Sequence, residues 1–349
     1  VNEYYSQQDC ASYGDFRELL NRDDIDAVVI AATEHWHGVI SIEACKRGKD
    51  VYCEKPLALS VCEGREIVKA ARKYGRVFQV GTQQRSDYKF RHACEIVRNE
   101  FIGPVKNVRL FLGKTMGTSS FPIYPVDCDL PGEPEPEYLD WNMWLGPAPW
   151  RPYNSRLAPP IEDKAWPHWR DYDDYSGGLM TDWGAHHFDI VQWALGMDES
   201  GPVEVFPEND KDVKMLTYKY ANGVTVVRDD DMPSRIVEFT GTEGIVEVSR
   251  EFIKTRPESL LRRRPGPNDI QIYKSNSHYI NWLNCIRTRN KPVSDVETGL
   301  RSVTVCHIGI IAKKLGRPLK WDPAAEHFIN DDEANKYLNR ALRSPWKLG

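Results

Sequence analysis

No apolar run in this sequence approaches the roughly 18 residues that a membrane-spanning helix needs. The longest stretches resemble Ala27 to Ala32, and no transmembrane segment is expected. No charge of one sign dominates either. Forty-six basic residues face 51 acidic ones, for a net charge of -5, which argues against a nucleic-acid partner. The cysteines, at 10, 45, 53, 62, 94, 128, 285 and 306, include no C-x-x-C pair and no Cys/His spacing of a structural zinc site. They are expected to be mostly buried, reduced thiols, since a free cysteine packs as a small hydrophobe. Internal repeats and low-complexity tracts are missing. So is an initiating methionine: Val1 comes first and no signal-like apolar segment follows, so the start of translation is expected upstream.

What is present is a chain of 349 residues, 41% apolar, enough for two domains with sizeable cores. From Asp15 to Gly81, short β-branched runs alternate with helical periods. Strands are expected at 27–32, 51–53 and 77–80, with helices between them at 39–47, closed by Gly48, and from Ser60, opened by the capping box Ser60-Val-Cys-Glu63 and closed by Gly75. Strands joined by helices of this length imply right-handed crossovers and a parallel, doubly wound sheet. After a further helix near 88–98 the rhythm changes. Alternating segments at 105–112, 215–220, 224–227 and 245–248 suit an open, mostly antiparallel sheet. The boundary is placed at 103/104, giving a Rossmann-type domain over 1–103 and an α+β domain over 104–349. Between the strands, residues 121–175 are rich in Pro, Trp, Tyr and Asp; an ordered irregular stretch of this length usually lines a site.

Ligands of a doubly wound sheet sit beyond the carboxyl ends of its strands. Three polar clusters follow those ends: Thr33-Glu34-His35-Trp36-His37, Glu54-Lys55-Pro56 and Gly81-Thr82-Gln83-Gln84-Arg85. A lysine held before a proline at such a place is a candidate to face the cleft. A second constellation, Gly177-Gly178 with Asp182, Gly184 and His186, reads as a glycine-rich turn entering a helix. On one helix, Asp182 and His186 share a face, an arrangement in which a carboxylate orients an imidazole for acid-base work. Metal binding by His186, His187 and Asp189 is the competing view; adjacent histidines point apart on a helix, and no metal is expected.

Together these pieces resemble the Gfo/Idh/MocA oxidoreductases. The segments Ala32-Thr-Glu-His-Trp-His37, Gly48-Lys-Asp-Val-Tyr-Cys-Glu-Lys-Pro56 and Gly177-Gly178…Asp182-x-Gly184-x-His186 are similar to the family's T-P-[DN]-H-x-H, G-K-x-V-x-x-E-K-P and G-G-x-x-x-D-x-G-x-H. The likeness runs over nearly the whole chain. It implies NAD or NADP as cofactor, and Lys55, Asp182 and His186 as the catalytic set: His186 taking the hydroxyl proton, Asp182 orienting it, Lys55 holding the oxygen. Thr33, His35, His37, Glu54, Lys55, Pro56 and Gln83 would line the cofactor pocket. Arg85, Trp144, Arg156, His168, Trp169 and His187 are candidates for substrate contact, the aromatics for stacking on a sugar ring. The expected activity is NAD(P)-dependent oxidation or reduction of a ring hydroxyl on a sugar, glycoside or cyclitol, in a homodimer or homotetramer. Glycoside cleavage through transient oxidation and a non-catalytic sugar-binding scaffold are the alternatives. One departure is large: the family's first strand and its G-x-G-x-x-G turn have no counterpart here, and a sheet lacking its first strands should show an apolar edge. Cytoplasmic location is expected, with export left open by the same gap.

Overall fold

The structure is a computed structural model describing residues 4, 6, 9–113, 122–208, 210, 211, 213–232 and 236–348. Its first unit starts with helix α1 (Phe16–Leu20), capped by the Asp15 side chain, and strand β1 (Ala27–Ile30). Helix α2 (His37–Lys46), β2 (Asp50–Cys53), α3 (Val61–Lys73) and β3 (Phe78–Val80) follow. The three strands are parallel in the order β1-β2-β3, with Val28 beside Val51 and Val51 beside Phe78. Gly48 and Gly75 take the positive φ values of 74° and 60° expected of them. Ser60 caps α3 by accepting from the Glu63 N–H at 3.2 Å, while the Glu63 carboxylate reaches one residue past the expected capping-box partner, to the Leu59 N–H at 3.1 Å. The edge strand β1 leaves Val29 58% exposed.

Helix α4 (Tyr88–Arg98) leads into β4 (Val105–Leu110) and the second unit. Next come α5 (Trp141–Leu145), α6 (Leu179–Asp182), α7 (Gly184–Leu195), β5 (Glu204–Phe206), β6 (Thr217–Lys219), β7 (Thr225–Arg228), β8 (Val237–Gly241), β9 (Ile245–Val248) and β10 (Ile253–Arg256). The chain closes with α8 (His278–Thr288), α9 (Val296–Leu315), β11 (Leu319–Asp322), β12 (His327–Phe328) and α10 (Asp332–Lys336). The second sheet runs β10-β9-β8-β4-β7-β6-β5-β11-β12; β4 and β7 are parallel and all other neighbours antiparallel.

One face of that sheet is buried under α4, α7 and the second half of α9, with Phe90, Phe188, Ile190, Ile308, Val226 and Phe239 in one core. The first half of α9 returns to the parallel sheet, adding Val296, Leu300 and Val303 to its core. Thus α4, which precedes residue 104, packs with the second unit, and part of α9 completes the first. Of the aromatic stretch 121–175, residues 122–175 are described; Trp141, Tyr153, Trp169, Tyr172 and Tyr175 build a small core of their own. No disulfide joins any of the eight cysteines, and five of them are buried. No helix among the described residues is long and apolar enough to cross a membrane.

Gly178 sets the turn into α6 with φ 65° and ψ -157°, a conformation essentially restricted to glycine. A Cβ there would lie 2.9 Å from the carbonyl oxygens of Pro122 and Ile123. Those same carbonyls accept from the Leu179 and Met180 N–H groups at 2.9 and 3.0 Å. Gly178→Ala is therefore expected to destabilise the protein by about 2–3 kcal/mol. A urea midpoint shifted by less than the equivalent of about 0.5 kcal/mol would show the turn to be dispensable.

Candidate active site

Most residues just beyond the strands of the parallel sheet are fixed by a specific contact. The Glu34–Trp36 turn after β1 buries Glu34, His35 and Trp36. His37 ties that turn to the loop after β2, its Nδ1 2.7 Å from the Pro56 carbonyl oxygen and its Nε2 3.1 Å from that of Ala32. The Lys55–Pro56 peptide is cis. Beyond β3, Gln83 donates from Nε2 to Glu54 Oε1 at 3.1 Å, and burial pushes the Glu54 carboxyl above its usual range. Gly81 leaves room for Glu54, whose Oε2 would be only 2.7 Å from a Cβ at that position. Thr33 is half-buried at the start of the first turn, with no capping bond from its side chain.

The Gly177-Gly178 turn then brings α6 against this loop. The Lys55 ammonium forms an ion pair with Asp182 Oδ1, and also donates to the Asp182 carbonyl oxygen at 3.2 Å. Both side chains are about four-fifths buried, at 18% and 19% exposure. Here the structure differs from the expected pairing. Trp183, between α6 and α7, keeps right-handed helical φ and ψ of -79° and -30°, yet the Asp182 carboxylate goes to Lys55 rather than to His186. His186 is buried, and its Nδ1 has no partner. Burial, followed by the charges of Lys55 and Arg250, holds its pKa well below the usual imidazole range. It is a neutral base at physiological pH.

Glu34 was missing from the sequence-derived site, although it stands in the first of the three strand-end clusters. It is 3% exposed and accepts from Thr181 Oγ1 at 3.4 Å. Burial pushes its pKa up to about 7, against the opposing pull of Lys55. Between its ordinary value of 4.5 and about 7, the folded chain therefore holds a proton that the unfolded chain has released. Its contribution to stability falls as pH rises through that window, by on the order of 3 kcal/mol. Glu34→Gln keeps the neutral form at every pH. We expect it to be more stable than the wild type at pH 8, and nearly equal at pH 4, in urea titrations. An equal difference at both values would contradict this.

Not every anticipated residue joins the site. Arg85 is 1% exposed and its guanidinium is consumed by Asp189, at 2.8 and 3.0 Å, and by Asp198, at 2.7 Å. It is a structural cation with nothing left for a substrate. Arg156 and His168 both turn to Asp171, at 3.4 and 3.1 Å. Trp144 stacks on Trp141 at 4.6 Å and offers its carbonyl oxygen to His35 Nε2 at 3.0 Å. His35 is held neutral, its pKa lowered by burial to about 3, and its ring lies 5.2 Å from Tyr175. His187 is buried beside Trp183. Trp169 is buried beneath the guanidinium of Arg170, 4.1 Å from its ring centroid. Among the described residues, no three His, Cys, Asp or Glu side chains gather as a metal site.

This arrangement can hold a hydroxyl oxygen against an ammonium beside a neutral imidazole. Comparison with known proteins places the chain in a family. Residues 2–82 match the sequence model of the oxidoreductase family's NAD-binding Rossmann fold, and residues 89–348 that of its C-terminal alpha/beta domain, both of the GFO_IDH_MocA group. An uncharacterized oxidoreductase, YrbE, from Bacillus subtilis is 27% identical over 66% of this chain and 57% of its own length. Inositol 2-dehydrogenase of Salmonella typhimurium is 30% identical over 32% of this chain and 33% of its own length. The matched part thus spans little more than half of the first relative and a third of the second. Among solved structures, the WlbA dehydrogenase of Bordetella pertussis, in complex with NADH and UDP-GlcNAcA, superposes with a TM-score of 0.63 at 18% identity, over 92% of this chain and 86% of that one. The aldose-aldose oxidoreductase of Caulobacter crescentus gives 0.61 at 21% identity, over 91% and 87%. At such identities these superpositions establish the fold alone.

Proposed function

The chain belongs to the Gfo/Idh/MocA oxidoreductase family, and from that membership we propose that it moves a hydride between a nicotinamide cofactor and the carbon bearing a ring hydroxyl of a sugar, glycoside or cyclitol. The observation that carries this reading is the Lys55–Asp182 pair beside a buried, neutral His186 with an unpartnered Nδ1. An orphaned polar atom at a strand-end cleft is what a bound molecule would satisfy. The residues beyond β1, β2 and β3 fit the nicotinamide end of the cofactor: Gly81 lets Glu54 lie close, and Gln83 fixes its carboxyl. Thr33 and Pro56, the latter pinned through its carbonyl by His37, shape the remaining walls.

When bound, a nicotinamide supplies the hydride acceptor or donor. The residues of this chain do the rest. Lys55, held in place by Asp182, donates a hydrogen bond to the substrate oxygen and stabilises negative charge as it develops. His186 takes the hydroxyl proton on a ring nitrogen, and its depressed pKa keeps it free to do so. Asp182 acts by positioning the ammonium, not the imidazole. Titration of the purified protein with NADH, followed by energy transfer from its tryptophans, should show saturable binding; no binding at millimolar NADH would refute the proposal.

A further inference from the structure

Arg170 is a cation of this site that pairs with no carboxylate. It sits in the short turn His168–Asp171, half-buried, with its guanidinium across two indoles, 4.6 Å from the Trp166 ring and 4.1 Å from that of Trp169. No carboxylate lies within ion-pair distance of it among the described residues, whereas Lys55 has Asp182, Arg85 has Asp189 and Asp198, and Arg156 has Asp171. Trp169 packs in one cluster with Trp144 and Tyr175, whose rings lie 5.5 and 5.2 Å from that of His35 in the turn after β1; Arg170 therefore stands near that turn, where Glu34 and Asp182 act on its charge. Stacking on aromatic faces orients a guanidinium and leaves its N–H edge free, and that edge matches a carboxylate in two parallel hydrogen bonds.

Building on the oxidoreductase reading, we infer that Arg170 is a specificity-determining residue, and that the substrate is a sugar acid whose carboxylate it binds while the ring hydroxyl meets Lys55 and His186. Arg250, 4.4 Å from the Trp183 ring centroid and without an ion pair among the described residues, is a second guanidinium whose charge acts on His186. The planar edge of Arg170 matches a carboxylate, and a sugar phosphate in the test below separates that monoanion from a dianion.

The test is isothermal titration calorimetry of the purified chain with D-glucuronate, D-galacturonate, D-glucose, D-galactose and glucose 6-phosphate, on wild type, Arg170→Met and Arg170→Lys. The wild type should bind one of the acids at least about tenfold more tightly than its neutral parent. The preference should fall with added salt, shrink below about twofold in Arg170→Met and survive in part in Arg170→Lys. Equal affinity for acid and parent, or an Arg170→Met variant that keeps the preference, overturns the inference. So does a stronger preference for the sugar phosphate, or a loss of NADH binding in Arg170→Met with the acid preference intact, which would assign Arg170 to the cofactor. Failure of the underlying reading looks different: the acid would bind through Arg170 with no hydride passing to NAD. Hydride transfer from neutral sugars without an acid preference would refute only the role of Arg170.

Discussion

Replacing Lys55 by Ala is expected to lower kcat by about 10²–10⁴-fold, and replacing His186 by Ala by a comparable factor, with the fold retained in both. Each removes a group that acts on the same oxygen, one by hydrogen bonding and charge, the other by taking its proton. Lys55 keeps 18% of its side chain exposed, so its loss costs little packing, although Lys55→Ala leaves the Asp182 carboxylate without its partner. His186 is buried beside Trp183, and His186→Ala leaves a small void there. The two losses should not add, because a base has little to do without an oxygen held in place. Asp182→Asn separates the roles: if Asp182 positions Lys55, this variant falls towards the Lys55→Ala rate while its His186 pKa hardly moves. Full activity in either alanine variant, with circular dichroism and NADH affinity unchanged, would remove that residue from the catalytic set.

The second large effect concerns stability. Arg85→Met should destabilise the protein by about 3–5 kcal/mol, because it leaves Asp189 charged, 0% exposed and without its cationic partner. Ser302 would remain, donating to Asp189 Oδ1 at 2.7 Å, and one neutral hydrogen bond does not replace a guanidinium. Removing both charges should be milder. In Arg85→Met/Asp189→Leu most of the loss should return, since a buried ion pair is often no more stabilising than apolar side chains of like volume. Asp198, with its side chain 34% exposed, would turn to solvent. Urea unfolding of the single and double variants checks this, and a double variant as unstable as the single one would contradict it.

Much of this architecture is legible in the residues. The strands at 27–30, 50–53 and 78–80 follow from β-branched runs set between helical periods, and the capping residues Asp15 and Ser60 stand where side-chain caps form. The lysine before a proline and the glycine pair ahead of Asp182 and His186 also mark the site from sequence alone. Four features escape such reading, each for a physical reason. The Lys55–Asp182 contact joins residues 127 apart, and spacing within one helix points Asp182 at His186 instead. Arg85 carries a charge, and a sequence cannot show that Asp189 and Asp198 would bury it. Helix α9 shows no amphipathic stripe because successive faces serve two cores, Leu300 and Val303 in one, Ile308 and Ile311 in the other. Glu34 hid in plain sight: its neighbours His35 and His37 drew the chemical reading, whereas its own significance depends on how completely it is buried.

The central claim is that the cleft formed by Lys55, Asp182 and His186 passes a hydride between a ring carbon and a nicotinamide. The direct test is mass spectrometry of the nicotinamide recovered after the protein is incubated with NAD and ring-perdeuterated sugars, sugar acids and inositol. The account predicts one deuterium on the reduced nicotinamide for each ketone formed, and label transfer slowed by about 10²–10⁴-fold with Lys55→Ala. Product formed with no deuterium on the nicotinamide, or no transfer from any of these substrates by protein shown to hold the cofactor, would contradict it.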